Sequence, residues 1–188
     1  MNAQLRLWDD DPVLHNVFFG TRAAAAVVPI TRAGQDLVRS QRLVAKLLPP
    51  ERLHVSLCAV GGFSGACPPA VINAAKAVAD TVSMDPFTVS FDRVASFAGG
   101  NGRRALVLTG GEGVAGLVQF QKTLGLTLNK AGLGLRQKDR FTPHVTMMYA
   151  DHMCDFPIEP ISWTVDEFVL VDSLWGQSRH VQLGRWPL

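Results

Sequence analysis

Two histidines in this sequence are each followed, two positions later, by a hydroxyl residue. His54 precedes Ser56 within the segment RLHVSL, and His144 precedes Thr146 within TPHVTM. Because side chains two apart on a β-strand emerge from the same face, each segment would present an imidazole beside a hydroxyl. The apolar residues between and after them would pack into the core and direct the polar pairs toward a cleft.

This set of side chains suits the cleavage of a cyclic phosphodiester. The reaction needs a base that takes a proton from water, an acid that protonates the departing ribose oxygen, and donors for the non-bridging phosphate oxygens. Histidine has an ordinary pKa of about 6.5, so one copy can be neutral while the other is protonated near neutral pH. Ser56 and Thr146 can donate hydrogen bonds to the phosphate. No metal is required, and no acidic cluster with magnesium-binding spacing accompanies either segment.

The duplication makes this interpretation specific. A histidine followed by serine or threonine two positions later arises often by chance, and a single copy would favour an ordinary core or surface histidine. Here both copies fall in predicted strands and in different halves of the chain. The pattern is missing from His15, His152 and His180, which are followed at the same spacing by Val17, Cys154 and Gln182.

The elements that would position the two segments follow from hydrophobic periodicity and from glycine and proline breaks. Thr31 can cap the first helix, Pro49-Pro50 can end it, and the glycine-rich residues 99–102 predict a hairpin turn. Strands are predicted at 15–21, 52–60, 86–96, 105–109, 141–149, 162–171 and 179–186, and helices at 31–48, 68–83 and 113–131. This α+β pattern predicts one domain, residues 1–188, with two related halves that meet near residues 97–103.

Composition indicates a compact globular chain, with 47% hydrophobic residues among 188. A net charge of +2 is too small to identify a nucleic-acid partner, so RNA contact must be argued from a site. The three cysteines form no C-x-x-C pair and predict neither a disulfide framework nor a thiolate zinc site. The longest alanine-rich apolar run, residues 23–30, is too short to span a bilayer. We expect a cytoplasmic monomer with no membrane contact.

Several other residues have both a functional and an ordinary interpretation. Arg104 enters a strand after the predicted turn and can reach a phosphate, although solvated charge is the commoner role. Phe63 follows the first histidine segment and can stack on a nucleobase or pack in the core. Lys138 and Arg140 can extend a basic track for RNA or simply aid solubility. The glycine-rich residues 110–116 lack the Lys-Ser/Thr ending of a Walker loop and predict a turn with a helix cap.

The doubled H-x-S/T-x pattern resembles the signature of the two-histidine (2H) phosphoesterases. Within that superfamily, FTPHVT at residues 141–146 is similar to a segment of the bacterial RNA 2′,3′-cyclic phosphodiesterases, historically called 2′-5′ RNA ligases. An early FF-containing strand and the closing RWPL extend the resemblance over most of the chain. It implies a bilobal fold of two β-sheet lobes, flanked by helices around a central groove, to which each lobe contributes one motif.

The resemblance also implies metal-free and cofactor-free hydrolysis of a 2′,3′-cyclic phosphate, at the end of an RNA or nucleotide, to a 2′-phosphate. By analogy His144 would activate water and His54 would protonate the 3′ oxygen, an order that the residues themselves leave open. Family members commonly carry an arginine three residues after the second hydroxyl residue, where this chain has Tyr149. A phenol can donate a hydrogen bond or stack on a base, but it offers no bidentate cationic fork to the substrate.

Three functions from different classes are compatible with these residues. The first is hydrolysis of RNA cyclic phosphate ends or of a related cyclic phosphodiester. The second is 2′-5′ RNA ligation, the same chemistry run toward ester formation, which dilute water disfavours. The third is non-catalytic binding of RNA ends, which the tyrosine at position 149 keeps open. If one histidine works neutral and the other charged, activity should have a bell-shaped pH dependence.

Overall fold

The computed structural model describes residues 15–98, 103–133 and 141–188 of the chain. Short 3₁₀ turns at Ala24–Ala26, Pro50–Arg52 and Glu112–Val114 join some of the elements. In order, the elements are β1 (His15–Arg22), α1 (Val27–Ser40), β2 (His54–Phe63), α2 (Pro69–Ala79), β3 (Phe87–Phe97), β4 (Arg104–Thr109), α3 (Ala115–Lys130), β5 (His144–Ala150), β6 (Asp155–Val165), β7 (Glu167–Leu174) and β8 (Arg179–Pro187).

The first helix begins and ends earlier than the predicted 31–48. Pro29 lies in its first turn, where a missing amide hydrogen costs no helical hydrogen bond. At the other end Arg42 adopts a left-handed conformation, with φ of 50°. The Leu43 amide donates to the Val38 carbonyl at 3.0 Å. This closing pattern is that of a Schellman motif, here without its usual glycine, and it ends the helix despite the apolar residues that follow.

The predicted strand 162–171 is wrong as a single element, because the structure divides this region into β6 and β7. Asp166 separates the two strands, and β6 extends back to Asp155. The segment 155–160 contains Pro157 and Pro160, which disfavoured a strand in the sequence. Since β6 is an edge strand, a proline can occupy it without removing a hydrogen bond from the sheet.

The strands form two antiparallel four-stranded sheets, so the predicted α+β fold with two sheets and flanking helices is confirmed. The first sheet has the order β2-β1-β7-β8, and the second has the order β5-β4-β3-β6. β3 and β4 pair with each other, as the predicted hairpin requires. The strands on either side of residues 97–103 therefore belong to the same sheet. The chain passes between the sheets after β2 and again after β6.

The helices α1 and α3 each contact a sheet to which the strands that they connect do not belong. α1 connects β1 and β2 of the first sheet but contacts β5 of the second. α3 connects β4 and β5 of the second sheet and contacts both β2 of the first sheet and β3 of the second. On α3, the buried Phe120 ring lies 5.2 Å from Phe168 on β7 and 6.3 Å from Phe87 on β3. One continuous hydrophobic core therefore spans both sheets.

Candidate active site

The two histidine segments lie on edge strands that face each other across the two sheets. His54 is the first residue of β2 and His144 the first of β5. β2 is the edge of the first sheet, β5 is the edge of the second, and the two strands contact each other. The fold thus brings together two segments that are far apart in the sequence.

Both imidazoles are held in the same way. Nδ1 of His54 donates a hydrogen bond to the Arg52 carbonyl at 2.6 Å, and Nδ1 of His144 donates to the Thr142 carbonyl at 2.8 Å. A carbonyl oxygen can only accept, so the proton of each neutral ring must be on Nδ1. In its neutral form each ring therefore has an unprotonated Nε2 that can accept a proton. In His54 that nitrogen lies 3.1 Å from the hydroxyl of Ser56.

A β-bulge follows the hydroxyl residue in both strands. In β2, Ser56 pairs with Gly20 and Cys58 with Phe19, which leaves Leu57 as the extra residue. A bulge resets the alternation of side chains, so the residue five places after the histidine returns to the histidine's face.

In β5 the same pattern positions Tyr149. Thr146 pairs with Val107 and Met148 with Leu106, so Met147 is the extra residue. Tyr149, which is 42% exposed, therefore shares the face of His144 and Thr146. Without the bulge it would point to the opposite face.

The surroundings of His54 include aromatic residues that the sequence analysis did not assign to the site. The ring of Phe18 lies 5.1 Å from the His54 ring, and that of His180 lies 5.0 Å from it. A Cβ on Gly20 would come within 3.3 Å of the Phe18 ring and 2.6 Å of the Val55 carbonyl oxygen on β2. Glycine at this position leaves space for the Phe18 ring next to His54.

Two arginines also lie near His54. Arg22 is its cross-strand partner on β1, so both side chains emerge from the same face of the first sheet. Arg52 lies two residues before His54, in the 3₁₀ turn that leads into β2. Arg52 is close to the first motif in the sequence, whereas only the strand register assigns Arg22 to the site.

The electrostatic environment favours the neutral form of His54. Burial is the main cause of its lowered pKa, and the positive charges of Arg52, His144 and Arg22 add to the effect, while the hydrogen bond to the Arg52 carbonyl opposes it. Burial likewise lowers the pKa of His180 to about 4, with contributions from His54, Arg52 and Arg22. This end of the first sheet is therefore a partly desolvated, positively charged environment.

Arg104 and Phe63, which the sequence predicted as substrate-binding residues, do not lie beside the two histidine motifs. Arg104 pairs with the buried Ala150, on the face opposite to Tyr149. Phe63 is at the far end of β2 from His54 and packs against the main hydrophobic core. Lys138 and Arg140 are outside the described residues.

On the second sheet, the ring near His144 is Phe97, at 5.0 Å. Phe97 also lines a cavity of about 440 Å³ together with Ala95, Ser96, Met153, Cys154 and Asp155. Within the described residues, no three His, Cys, Asp or Glu side chains are grouped as a metal site would require. No helix among them is long and apolar enough to cross a membrane.

Comparison with known proteins gives a consistent family and fold. The family model of the 2′-5′ RNA ligase superfamily matches residues 28–176. Among curated proteins, none matches the chain significantly in sequence.

Solved structures share the fold at low sequence identity. LigT of E. coli, in complex with 3′-AMP, is 21% identical with a TM-score of 0.70, over 93% of this chain and 98% of that chain. TT0787 of Thermus thermophilus is 18% identical with a TM-score of 0.71, over 92% and 97% of the two chains. Usb1 of Kluyveromyces marxianus is 10% identical with a TM-score of 0.52, over 96% and 100%.

Proposed function

Because this chain belongs to the 2′-5′ RNA ligase superfamily, we propose that it hydrolyses the 2′,3′-cyclic phosphate at an RNA end to a 2′-phosphate. The observation that supports this most directly is the matched pair of histidines on facing edge strands, each with Nδ1 bonded to a carbonyl. Such anchoring leaves Nε2 of both rings available to exchange protons with a substrate bound between the two strands.

In the proposed reaction, the water oxygen attacks phosphorus while the bond between phosphorus and the 3′ oxygen breaks. His144 takes the proton of water, and His54 gives a proton to the 3′ oxygen. The bond to the 2′ oxygen remains, so the product is the 2′-phosphate. Ser56 and Thr146 donate to the non-bridging oxygens, whose charge changes in the transition state. Bound anionic substrate would offset the positive charges around His54 and so favour the protonated form that an acid requires.

Phe97 is the better candidate for a contact with the terminal nucleoside than Phe63. Its ring contacts His144 and borders a cavity, whereas the partly buried Phe63 packs against the core at the far end of β2. A base placed in this cavity would lie beside an aromatic ring, as in proteins that bind single-stranded nucleic acids. Tyr149 lies on the same face of the sheet and can donate a hydrogen bond to the same substrate.

The test of this function is hydrolysis of a nucleoside 2′,3′-cyclic phosphate in the presence of a chelator, with the product isomer identified by chromatography. We expect turnover to the 2′-phosphate. A 3′-phosphate product would contradict the proposed bond cleavage, and a folded protein without turnover would favour a non-catalytic RNA-end binder. We also propose that the protein is a cytoplasmic monomer. The same site would support 2′-5′ ligation if the 5′-hydroxyl of a second RNA replaced water as the nucleophile.

The pH dependence of kcat/KM for hydrolysis is expected to be bell-shaped, with its acidic limb below pH 6.5. With both histidines protonated, no base is available, so activity rises as pH rises through the lower of the two pKa values. Burial and the charges of Arg52, His144 and Arg22 lower the pKa of His54 from its ordinary value of 6.5. The acidic limb is expected below pH 6.5 whichever histidine is the base. The measurement is a pH profile with a cyclic mononucleotide at constant ionic strength; an acidic limb above pH 6.5 would contradict the lowered pKa.

A further inference from the structure

The Arg22 side chain adds positive charge on the side of His54 that is remote from the second sheet. The sheet order places β2 beside the second sheet and β1 one strand farther away. Arg22, on β1, is therefore farther from His144 than His54 is. A phosphate that is attacked between the two histidines lies on one side of His54, and the Arg22 side chain is on the other.

Arg22 and Arg52 also differ from the ion-paired arginines of the structure. Side chains of Arg39, Arg93 and Arg185 each pair with a carboxylate, those of Asp36, Asp155 and Glu167 respectively. Within the described ranges, neither Arg22 nor Arg52 has such a partner. The Nε atom of Arg52 is buried and has no hydrogen-bond partner there. A buried donor without a partner is costly, and an anion bound to the same guanidinium would offset this cost.

The backbone positions of Arg22 and Arg52 are fixed beside His54. The backbone of Arg52 is fixed by the hydrogen bond from Nδ1 of His54 to its carbonyl, and Arg22 is fixed by its strand pairing. His180 closes the region by packing its ring 5.0 Å from His54 and 5.8 Å from Phe18. The positive charges of Arg22 and Arg52 contribute to the lowered pKa values of both His54 and His180.

We propose that Arg22 and Arg52 form a second phosphate subsite, which binds the phosphodiester on the 5′ side of the terminal nucleoside while the cyclic phosphate lies between His54 and His144. This inference rests on the proposed function and narrows its substrate class to RNA ends of at least two nucleotides. The bound strand would run from the catalytic histidines across β2 toward β1. In this arrangement, positive charge for the substrate comes from the first sheet, whereas position 149 of the second sheet supplies only a phenol.

The experiment compares three substrates that differ in length or in the charge of the internucleotide linkage. They are a cyclic mononucleotide, a dinucleotide with a 2′,3′-cyclic end, and the same dinucleotide with an uncharged methylphosphonate linkage. For the wild-type protein we expect kcat/KM to be roughly tenfold higher for the charged dinucleotide than for the other two, the effect of one charge-assisted contact. Arg22→Gln and Arg52→Gln should each reduce this preference, and the double variant should abolish it. Arg39→Gln, on α1, removes an arginine that is already paired and serves as the control.

Two outcomes would overturn the subsite. One is an equal loss of kcat/KM in the arginine variants for the mononucleotide and the dinucleotide, which would place the arginines on the scissile phosphate. The other is an unchanged preference in the double variant.

A binding measurement separates failure of the subsite from failure of the proposed function. Calorimetric titration with a dinucleotide 2′-phosphate and with a nucleoside 2′-phosphate requires no turnover. If the wild type binds the dinucleotide more tightly and the double variant does not, the subsite holds even for a protein that hydrolyses neither substrate. Equal affinity of the wild type for both compounds would refute it.

Discussion

His54→Ala and His144→Ala are each expected to lower kcat for cyclic phosphate hydrolysis by about 10²–10⁴-fold, the usual contribution of a general acid or base. The double variant should lose much less than the product of the two single effects, because residues that act as a unit are not additive. His152→Ala, outside the two motifs, is the matched control. Thermal unfolding should show that the variants remain folded. Loss of less than tenfold in either motif variant would remove that histidine from the mechanism.

The roles of the two histidines can be separated with a substrate whose 3′ oxygen is replaced by sulfur. A thiol has a pKa of about 8.5, so a thiolate departs without a proton from an acid. We expect the sulfur substrate to restore much of the activity of His54→Ala and little of that of His144→Ala. The reverse result would make His54 the base, a role that its lowered pKa also permits.

The largest expected effect on stability comes from Phe120→Ala, which should lower the free energy of unfolding by about 3–5 kcal/mol. The Phe120 side chain is fully buried and its ring lies between those of Phe87 and Phe168, one on each sheet. Its removal would leave a cavity where α3 joins the two sheets. Urea unfolding measures the change, with Val118→Ala on the exposed side of the same helix as the control, expected to stay within about 0.5 kcal/mol. Equal effects of the two variants would contradict the packing of α3 between the sheets.

The parts of the fold that depend on local pattern could be predicted from the sequence. Alternation and periodicity identified most strands and the helices, and the duplicated motif identified both imidazole-hydroxyl pairs. β6 was incompletely predicted, because Pro157 and Pro160 argue against a strand unless its place at a sheet edge is known. The early end of α1 depends on a left-handed arginine, a conformation for which the sequence gives no usual signal.

The residues around the motifs could not be predicted, because they depend on strand partners. Arg22 reaches the site through its register with His54, and His180 comes from β8, which joins the same sheet from the other end of the chain. Phe63 and Arg104 were selected for their closeness in sequence to a motif or a turn, yet alternation turns Arg104 away and pairing places Phe63 at the far end of β2. A single bulge residue, Met147, decides the face on which Tyr149 emerges.

The division of the sheets along the chain has a consequence for protein synthesis. β3, β4, β5 and β6 are consecutive, so the second sheet can assemble as soon as they leave the ribosome. β1 and β2 emerge earlier but remain an unstable two-stranded pair, with an open edge on β1, until β7 arrives. The first histidine motif therefore lies in an incomplete sheet until the late-translated β7 pairs with β1. A chain whose synthesis stops before β7 would contain an assembled second sheet and an incomplete first one. The open edge of β1 would make such a product recognisable to chaperones and proteases.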